Sequence, residues 1–144
     1  MKEIRTHAQV DENLSGRVKH LDVGSCCVEF EARLSMRADA TGLVHGGFLF
    51  SAADYAAMLA VNEPTVVLAG AEVRFVRPCR VGDKVDVHAR IAVMDSRKPI
   101  VEVVALDCTK AEVFRGTFKC VIPSRHVLGT VEPVCSEPAG TAHG

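Results

Sequence analysis

Residues 46–62 read GGFLFSAADYAAMLAVN, a run of helix formers and apolar residues whose only charged side chain is that of Asp54. A helix that is apolar on nearly every face is buried rather than laid on the surface. Pro64 follows, at a position where such a helix has to stop. The sequence therefore predicts one long buried helix over this stretch.

Strand patterns flank this helix on both sides. A period-2 pattern begins at Gly16 and is clearest over 26–34, where apolar and polar residues alternate as in a half-buried strand. Four further strand-like runs follow the helix, at 65–76, 84–94, 100–107 and 113–122. Short turns separate these runs, and short connections predict that successive strands are antiparallel neighbours.

A sheet with one apolar face needs a cover, and the helix over 46–62 is the only candidate. We therefore expect an α+β fold in which an antiparallel β-sheet wraps around one long central helix. Residues 1–15 are expected to form a polar N-terminal arm and residues 16–123 the domain. Residues 124–144 contain Pro, Gly and Ser without periodicity and are expected to form a loose tail.

The composition is that of one globular domain. The chain has 144 residues, and with 5% aromatics and no tryptophan its core must be built from Val, Ala, Leu and Ile. A formal net charge of −1 gives no overall field that would attract nucleic acid or an anionic membrane, so neither is expected as a partner. Residues 1–14 lack the apolar run of a signal peptide or membrane span, which favours a cytoplasmic location.

The cysteines show no spacing that is typical of a metal site. None of the six forms a C-x-x-C pair, and several fall at inward positions of the expected strands, where cysteine behaves as a small apolar residue. We expect reduced structural thiols and no bound metal. The six are Cys26, Cys27, Cys79, Cys108, Cys120 and Cys135.

Asp54 is costly to place in a buried helix, because an isolated carboxylate loses its hydration in an apolar site. Such a group is neutralised, paired or functional. One interpretation is a structural aspartate that accepts hydrogen bonds from Ser51 or from a neighbouring strand. The other is a catalytic carboxylate.

His45, Gly46 and Gly47 open the helix, and this start favours the catalytic interpretation. The first turn of a helix has unpaired N–H groups and carries about half a positive charge. Two glycines let a ligand approach this backbone, since no Cβ stands in the way. An oxyanion that develops on a carbonyl would be stabilised there, although two glycines before a helix also suit a plain entry turn.

These residues together resemble the hotdog-fold thioesterase superfamily, in particular its PaaI-like branch of acyl-CoA thioesterases. Residues 42–54, GLVHGGFLFSAAD, carry the branch's pattern of His-Gly-Gly, six mostly apolar residues and Asp. Phe75–Pro78 followed by Val81–Asp83 match the family's proline before a Gly-Asp turn. The resemblance covers about residues 16–122 and implies hydrolysis of an acyl-CoA thioester.

The resemblance also implies a role for each residue of this motif. The Gly46 N–H would polarise the thioester carbonyl, and His45 would shape the loop and help to orient the thioester. Asp54 would act as a general base on water or as a nucleophile, and the sequence leaves both open. Coenzyme A would be part of the substrate, so no separate cofactor is expected.

The spacing of Gly46 and Asp54 predicts a dimer. Eight residues of helix span about 12 Å at 1.5 Å per residue, whereas reacting groups must lie around 3 Å from the carbonyl. If both residues act, they belong to different subunits, with two central helices antiparallel across a two-fold axis. The family is built in the same way, so we expect a homodimer or a dimer of dimers.

Further residues are expected to bind the substrate. At Asp39 the family commonly has Asn or Gln, and the aspartate could either raise the pKa of Asp54 or cap its own loop. Apolar side chains on the helix could line an acyl pocket, and basic side chains could meet the coenzyme A phosphates. The expected substrate-binding set is Asp39, Gly47, Phe48, Met58, Arg77, Arg97 and Lys98.

Two other functions stay open beside hydrolysis. A non-catalytic acyl-CoA-binding sensor would use the same fold, but residues 1–15 are too short for the DNA-binding helix-turn-helix that such proteins carry. A hotdog-fold hydratase or dehydratase could use His45 and Asp54 to move protons. The proline-rich loop motif of that branch does not occur in this sequence, so the hydrolase is favoured.

Overall fold

The computed structural model describes residues 1–129. The elements in chain order are helix α1 (Glu12–Ser15), strands β1 (Arg17–Asp22) and β2 (Ser25–Glu31), a 3-10 turn at Leu34–Met36, helix α2 (Gly46–Val61), and strands β3 (Val67–Phe75), β4 (Lys84–Val93), β5 (Ile100–Leu106) and β6 (Glu112–Val121). The predicted tail falls partly on residues 130–144, which lie outside the described residues.

The predicted central helix is confirmed as α2. It runs without interruption and ends at Asn62, which adopts a left-handed conformation with φ of 54° and donates its N–H to the Met58 carbonyl. Helix α2 packs mainly on β2, β4 and β5. Small side chains on α2 let it approach the sheet closely, and the five that are buried are Ala52, Ala53, Ala56, Ala57 and Ala60.

All six strands form one antiparallel sheet in the order β1-β2-β4-β5-β6-β3, wrapped around α2. This confirms the expected α+β architecture. The alternation predicted for β4 also holds at Val85, Val87 and Ala89, which point into the core, while Ile91 is half-buried. The prediction fails at Val93, which is 49% exposed and follows a register shift between Ile91 and Val93 in the pairing of β4 with β5.

The expectation that all successive strands are neighbours was wrong for β3 and β4. Strand β3 pairs with β6 at one edge, and β4 pairs with β2. The connection over 76–83 crosses the end of the sheet instead of turning back. It passes beside the chain that leads into α2, where the Val44 N–H donates to the Cys79 carbonyl at 2.9 Å, and the Gly82 N–H then donates to the Ala32 carbonyl at 2.7 Å.

A second correction concerns the chain before α2, where two strands stand instead of one. Strands β1 and β2 form a hairpin that turns at Gly24, whose φ of 76° favours glycine. The Val23 N–H donates to the Asp22 carboxylate in this turn. The predicted strand over 26–34 is also shorter than expected, because the 3-10 turn begins at Leu34.

The two edges of the sheet differ. The β1 edge is interrupted by a bulge at Lys19, and the Lys2 N–H of the N-terminal arm donates to the Leu21 carbonyl there. Asn62 holds the arm in place, since its side-chain oxygen accepts from the Arg5 N–H and its amide donates to the Glu3 carbonyl.

The β3 edge is open by comparison. Within residues 1–129, β3 pairs only with β6, and its other side has no strand neighbour. Its nine residues, VLAGAEVRF, contain neither lysine nor proline, and three small residues lie at its centre, where the pairing with β6 shifts register at Ala69. Long edges without lysine, proline or a covering segment pair readily with another strand.

No helix in residues 1–129 combines the length and the apolar character that a membrane span requires.

Gly116 on β6 is a packing constraint that can be tested. A Cβ at this position would lie 2.8 Å from Val73 Cγ1 and 2.9 Å from Phe118 Cε1. We expect Gly116→Ala to lower the free energy of unfolding by roughly 1–3 kcal/mol through overpacking. Urea unfolding at a fixed protein concentration measures this.

Gly70→Ala on the neighbouring strand β3 is the matched control, because nothing lies within 4 Å of the Cβ it adds. Equal losses in the two variants would show that the crowding at Gly116 does not limit the packing.

Candidate active site

Helix α2 begins at a turn that leaves its first amides accessible. His45 is the N-cap residue, with extended backbone angles, and its side chain makes no capping hydrogen bond. The imidazole is exposed and stands edge-on to Phe48 with ring centroids 6.0 Å apart. A Cβ on Gly47 would lie 3.1 Å from the His45 Nε2 atom. The first N–H groups of α2 therefore remain available to a ligand.

A cavity of about 350 Å³ opens at this end of α2. Its walls come from the chain before the helix, from the helix itself and from the connection between β3 and β4. They include Val44, Gly46, Leu49, Phe75, Arg77 and Cys79. The cavity is largely apolar, and it contains both the helix amides and one guanidinium group.

Asp54 lies in the middle of α2 and lacks a partner there. Its Oδ1 atom is buried and accepts no hydrogen bond from residues 1–129. The structural interpretation, a hydrogen bond from Ser51, does not hold, because the Ser51 hydroxyl is paired with Ser15 at 2.6 Å. Burial raises the pKa of Asp54 to about 6.

The carboxylate of Asp54 lies on the side of α2 that faces β6. Its negative charge contributes to the raised pKa of the Cys120 thiol on β6, after the larger effect of burial. Strand β3 is the only strand between β6 and the open edge of the sheet. Asp54 thus lies near β6, the strand that pairs with the edge strand β3.

Gly46 and Asp54 do not meet within one protomer. Helix α2 is continuous from Gly46 to Val61, so the eight-residue separation of the two residues corresponds to about 12 Å. One carbonyl can contact one of them in a given chain and not the other. Within one chain, the two members of the predicted catalytic pair therefore cannot act on the same carbonyl.

Asp39 has the geometry of a loop cap. It is exposed, and its carboxylate accepts hydrogen bonds from the Thr41 N–H at 2.9 Å and from the Thr41 hydroxyl at 2.5 Å. These bonds hold the pKa of Asp39 below its ordinary value. Its own pairing is thus with the loop, and desolvation alone accounts for the raised pKa of Asp54.

Of the other basic and apolar residues expected to bind the substrate, only some line the cavity. Arg77 lines the cavity and is exposed. Arg97 and Lys98 are exposed in the turn between β4 and β5, where their backbone N–H groups donate to the Asp95 carboxylate. Met58 is fully buried in the core and does not line this cavity.

Sequence reasoning missed the part that Phe75 and Cys79 play in this cavity. Phe75 is the last residue of β3, and Cys79 lies on the connection that crosses the sheet. Phe75 belongs to the Phe-Val-Arg-Pro motif, so the sequence contained a signal for it. The sequence did not show that Phe75 lies beside Gly46. Among residues 1–129, no group of three or more His, Cys, Asp or Glu side chains converges on a metal position.

Comparison with known proteins gives one family model and several similar chains. Residues 41–103 match a model described as the thioesterase superfamily. An uncharacterized protein of Pyrococcus horikoshii is 47% identical and superposes with a TM-score of 0.86, over 88% of this chain and 97% of that one. The PaaI protein from the phenylacetic acid degradation operon of Escherichia coli is 23% identical, with a TM-score of 0.69 over 75% and 83% of the two chains.

Two further matches are a protein solved with coenzyme A and a longer protein described as an isomerase. A hypothetical thioesterase of Streptococcus pneumoniae, solved with coenzyme A, is 16% identical, with a TM-score of 0.69 over 76% of this chain and 87% of that one. A methylthioribose-1-phosphate isomerase of Aquifex aeolicus is 48% identical over 118 residues, which are 81% of this chain. The chain spans 25% of the length of that isomerase.

The burial of Asp54 predicts a pH-dependent stability. Its pKa rises from an ordinary 3.8 to about 6 on folding, so the folded state binds the proton more tightly than the unfolded state. Wild-type stability should therefore fall as the pH rises from about 4 to about 6. Asp54→Asn carries no charge, so we expect it to be more stable than wild type by roughly 1–2 kcal/mol at neutral pH, with the gain fading towards pH 4.

Urea unfolding over this pH range measures the difference. Asp22→Asn, at an exposed carboxylate, is the control and should show no such trend. A pH-independent difference for Asp54→Asn would contradict the prediction.

Proposed function

Because this chain belongs to the thioesterase superfamily and has a PaaI-like hotdog fold, we propose that it is an acyl-CoA thioesterase that hydrolyses its substrate to a free acid and coenzyme A. The observation that carries the proposal is the buried, unpartnered oxygen of Asp54 on an otherwise apolar helix. A stable fold does not need this group, and it is costly to keep.

Asp54 activates water as a general base or attacks the thioester as a nucleophile. Either role requires the ionised carboxylate, and a base with a pKa near 6 is ionised at neutral pH while still accepting a proton readily. The buried position also keeps bulk water away, which strengthens the interaction of the carboxylate with a reacting group. The free lone pairs of Oδ1 support this role, because no protein donor competes for them.

Gly46 supplies the oxyanion donor. Its N–H lies at the N-terminus of a 16-residue helix, where the unpaired amides and the helix dipole favour negative charge. Gly47 and the exposed His45 beside it shape the approach to this amide, and Phe48 packs against His45. The thioester carbonyl binds at the Gly46 amide, in the cavity that Gly46 lines.

The complete site forms between two copies of the chain. The 12 Å that separate Gly46 from Asp54 at about 1.5 Å per residue require the second residue to come from a partner. The open edge of β3 is the surface that supports this arrangement, because two antiparallel β3 strands would join the sheets and bring the α2 helices together. The functional unit is thus a homodimer, which can assemble further into a dimer of dimers.

Coenzyme A is the leaving group of this reaction. The Streptococcus pneumoniae protein of the same fold binds it in its crystal structure. In this chain, exposed Arg77 at the cavity and exposed Arg97 and Lys98 in the turn between β4 and β5 offer cations to its phosphates.

The catalytic role of Asp54 is tested by thiol release across a panel of short-chain, medium-chain and aromatic acyl-CoA substrates. We expect Asp54→Asn to lower kcat by roughly 10²- to 10⁴-fold, because it removes the base while keeping the shape. The wild-type kcat/KM should rise with pH and level off above a pKa of about 6.

Asp22→Asn, which changes an exposed carboxylate, should leave turnover unchanged. An Asp54→Asn protein as active as wild type would rule out the catalytic role. Tight acyl-CoA binding without any turnover would point to a sensor, and turnover of enoyl-CoA without thiol release to a dehydratase.

The shared site is tested at the β3 edge. Ala71 is exposed at the centre of β3, and Ala71→Lys places a charge where the second strand has to dock. We expect this variant to be monomeric by sedimentation equilibrium, and its activity to fall in proportion to the lost dimer. His20→Lys adds the same charge to β1 and should change neither property.

A further inference from the structure

Phe75 is a large aromatic residue that the fold leaves 50% exposed. One side of it is fixed, because its ring packs edge-on against Phe114 with centroids 5.3 Å apart and planes at 76°. Phe114 is fully buried and is also the cross-strand partner of Phe75. The core therefore sets the orientation of the Phe75 ring, while half of its surface remains accessible.

The accessible ring lies against the first turn of α2. A Cβ built on Gly46 would stand 3.0 Å from Cε1 of Phe75 and 3.4 Å from its Cζ. Gly46 and Phe75 line the same cavity of about 350 Å³, together with Val44 and Leu49. The aromatic ring is thus an immediate neighbour of the amide that binds the thioester carbonyl.

We propose that Phe75 determines the acyl-chain length of the substrate by forming the end wall of the acyl pocket beside Gly46. This inference rests on the proposed function, because the Gly46 amide is what places the carbonyl in this cavity. The substrate class that follows is short- to medium-chain acyl-CoA.

The lining of the cavity favours the acyl group over the rest of the substrate as its occupant. The first acyl carbon is bonded to the carbonyl, so it lies within the apolar surroundings of Val44, Leu49 and Phe75. The pantetheine arm carries amides that would remain unpaired against such walls. The phosphates of coenzyme A are drawn towards the exposed Arg77 at the rim.

The fixed orientation of the Phe75 ring supports the length limit. A long chain would have to pass the Phe75 ring, which its contact with Phe114 holds in place. A smaller residue at position 75 would remove that obstacle.

The test uses two series of ligands on full-length protein: acyl-CoA substrates of increasing chain length, and S-alkyl-CoA thioethers of the same lengths, which bind but do not hydrolyse. We expect Phe75→Ala and Phe75→Leu to raise the long-to-short ratio of kcat/KM, and of affinity, on the order of tenfold. Phe75→Trp should lower both ratios. Met94→Ala, at an exposed residue that does not line the cavity, should leave them unchanged.

The two series separate the inference from the proposed function. If the thioethers bind and the Phe75 variants show the expected shifts in Kd, but no acyl-CoA is hydrolysed, hydrolysis is overturned and the role of Phe75 is upheld. Ratios that stay constant through Phe75→Leu and Phe75→Trp, both of which retain contact with Phe114, would overturn the role of Phe75. A wild-type protein that binds no thioether would overturn both.

Discussion

A single helix covers the apolar face of a six-stranded sheet, and the rest of the molecule is arranged around that contact. The alanines of α2 allow the helix to lie close to β2, β4 and β5, so side chains from both layers pack directly against each other. This close contact gives the core its stability in a chain with few aromatics. A polar group on the buried faces of α2 is therefore costly unless another part of the protein hydrogen-bonds to it.

Within residues 1–129, the buried oxygen of Asp54 has no hydrogen-bond partner, and the position of the residue explains why the fold tolerates it. The residue lies on the side of α2 that faces β6, next to the open edge of the sheet, and away from the strands that α2 covers most fully. The side chain as a whole is only partly enclosed, while its Oδ1 atom is buried. Proteins commonly retain such destabilising groups where chemistry requires them.

The central helix and the strand patterns could be predicted from the sequence because they depend on local periodicity, which short windows reveal. The pairing of β3 with β6 could not be predicted, because it depends on a connection that crosses the sheet end through hydrogen bonds to Val44 and Ala32.

The same crossing explains why only part of the candidate site could be predicted. Gly46 and Asp54 are visible as a motif on one helix, whereas Phe75 reaches Gly46 only after the chain has travelled around the sheet. The spacing of Met58 from Asp54 likewise does not reveal that Met58 is fully buried in the core.

The asymmetry of the two sheet edges has a consequence for assembly. The arm held by Asn62 covers part of the β1 edge, so a protomer offers one uncovered edge in the part of the chain that the structure describes. Edge-to-edge pairing joins chains with one free edge only into pairs, whereas chains with two free edges can add to each other without limit and grow into fibres. In the proposed assembly, the hydrogen bonds between Asn62 and the first residues of the chain therefore oppose edge-to-edge polymerisation, and dimers associate further through other surfaces.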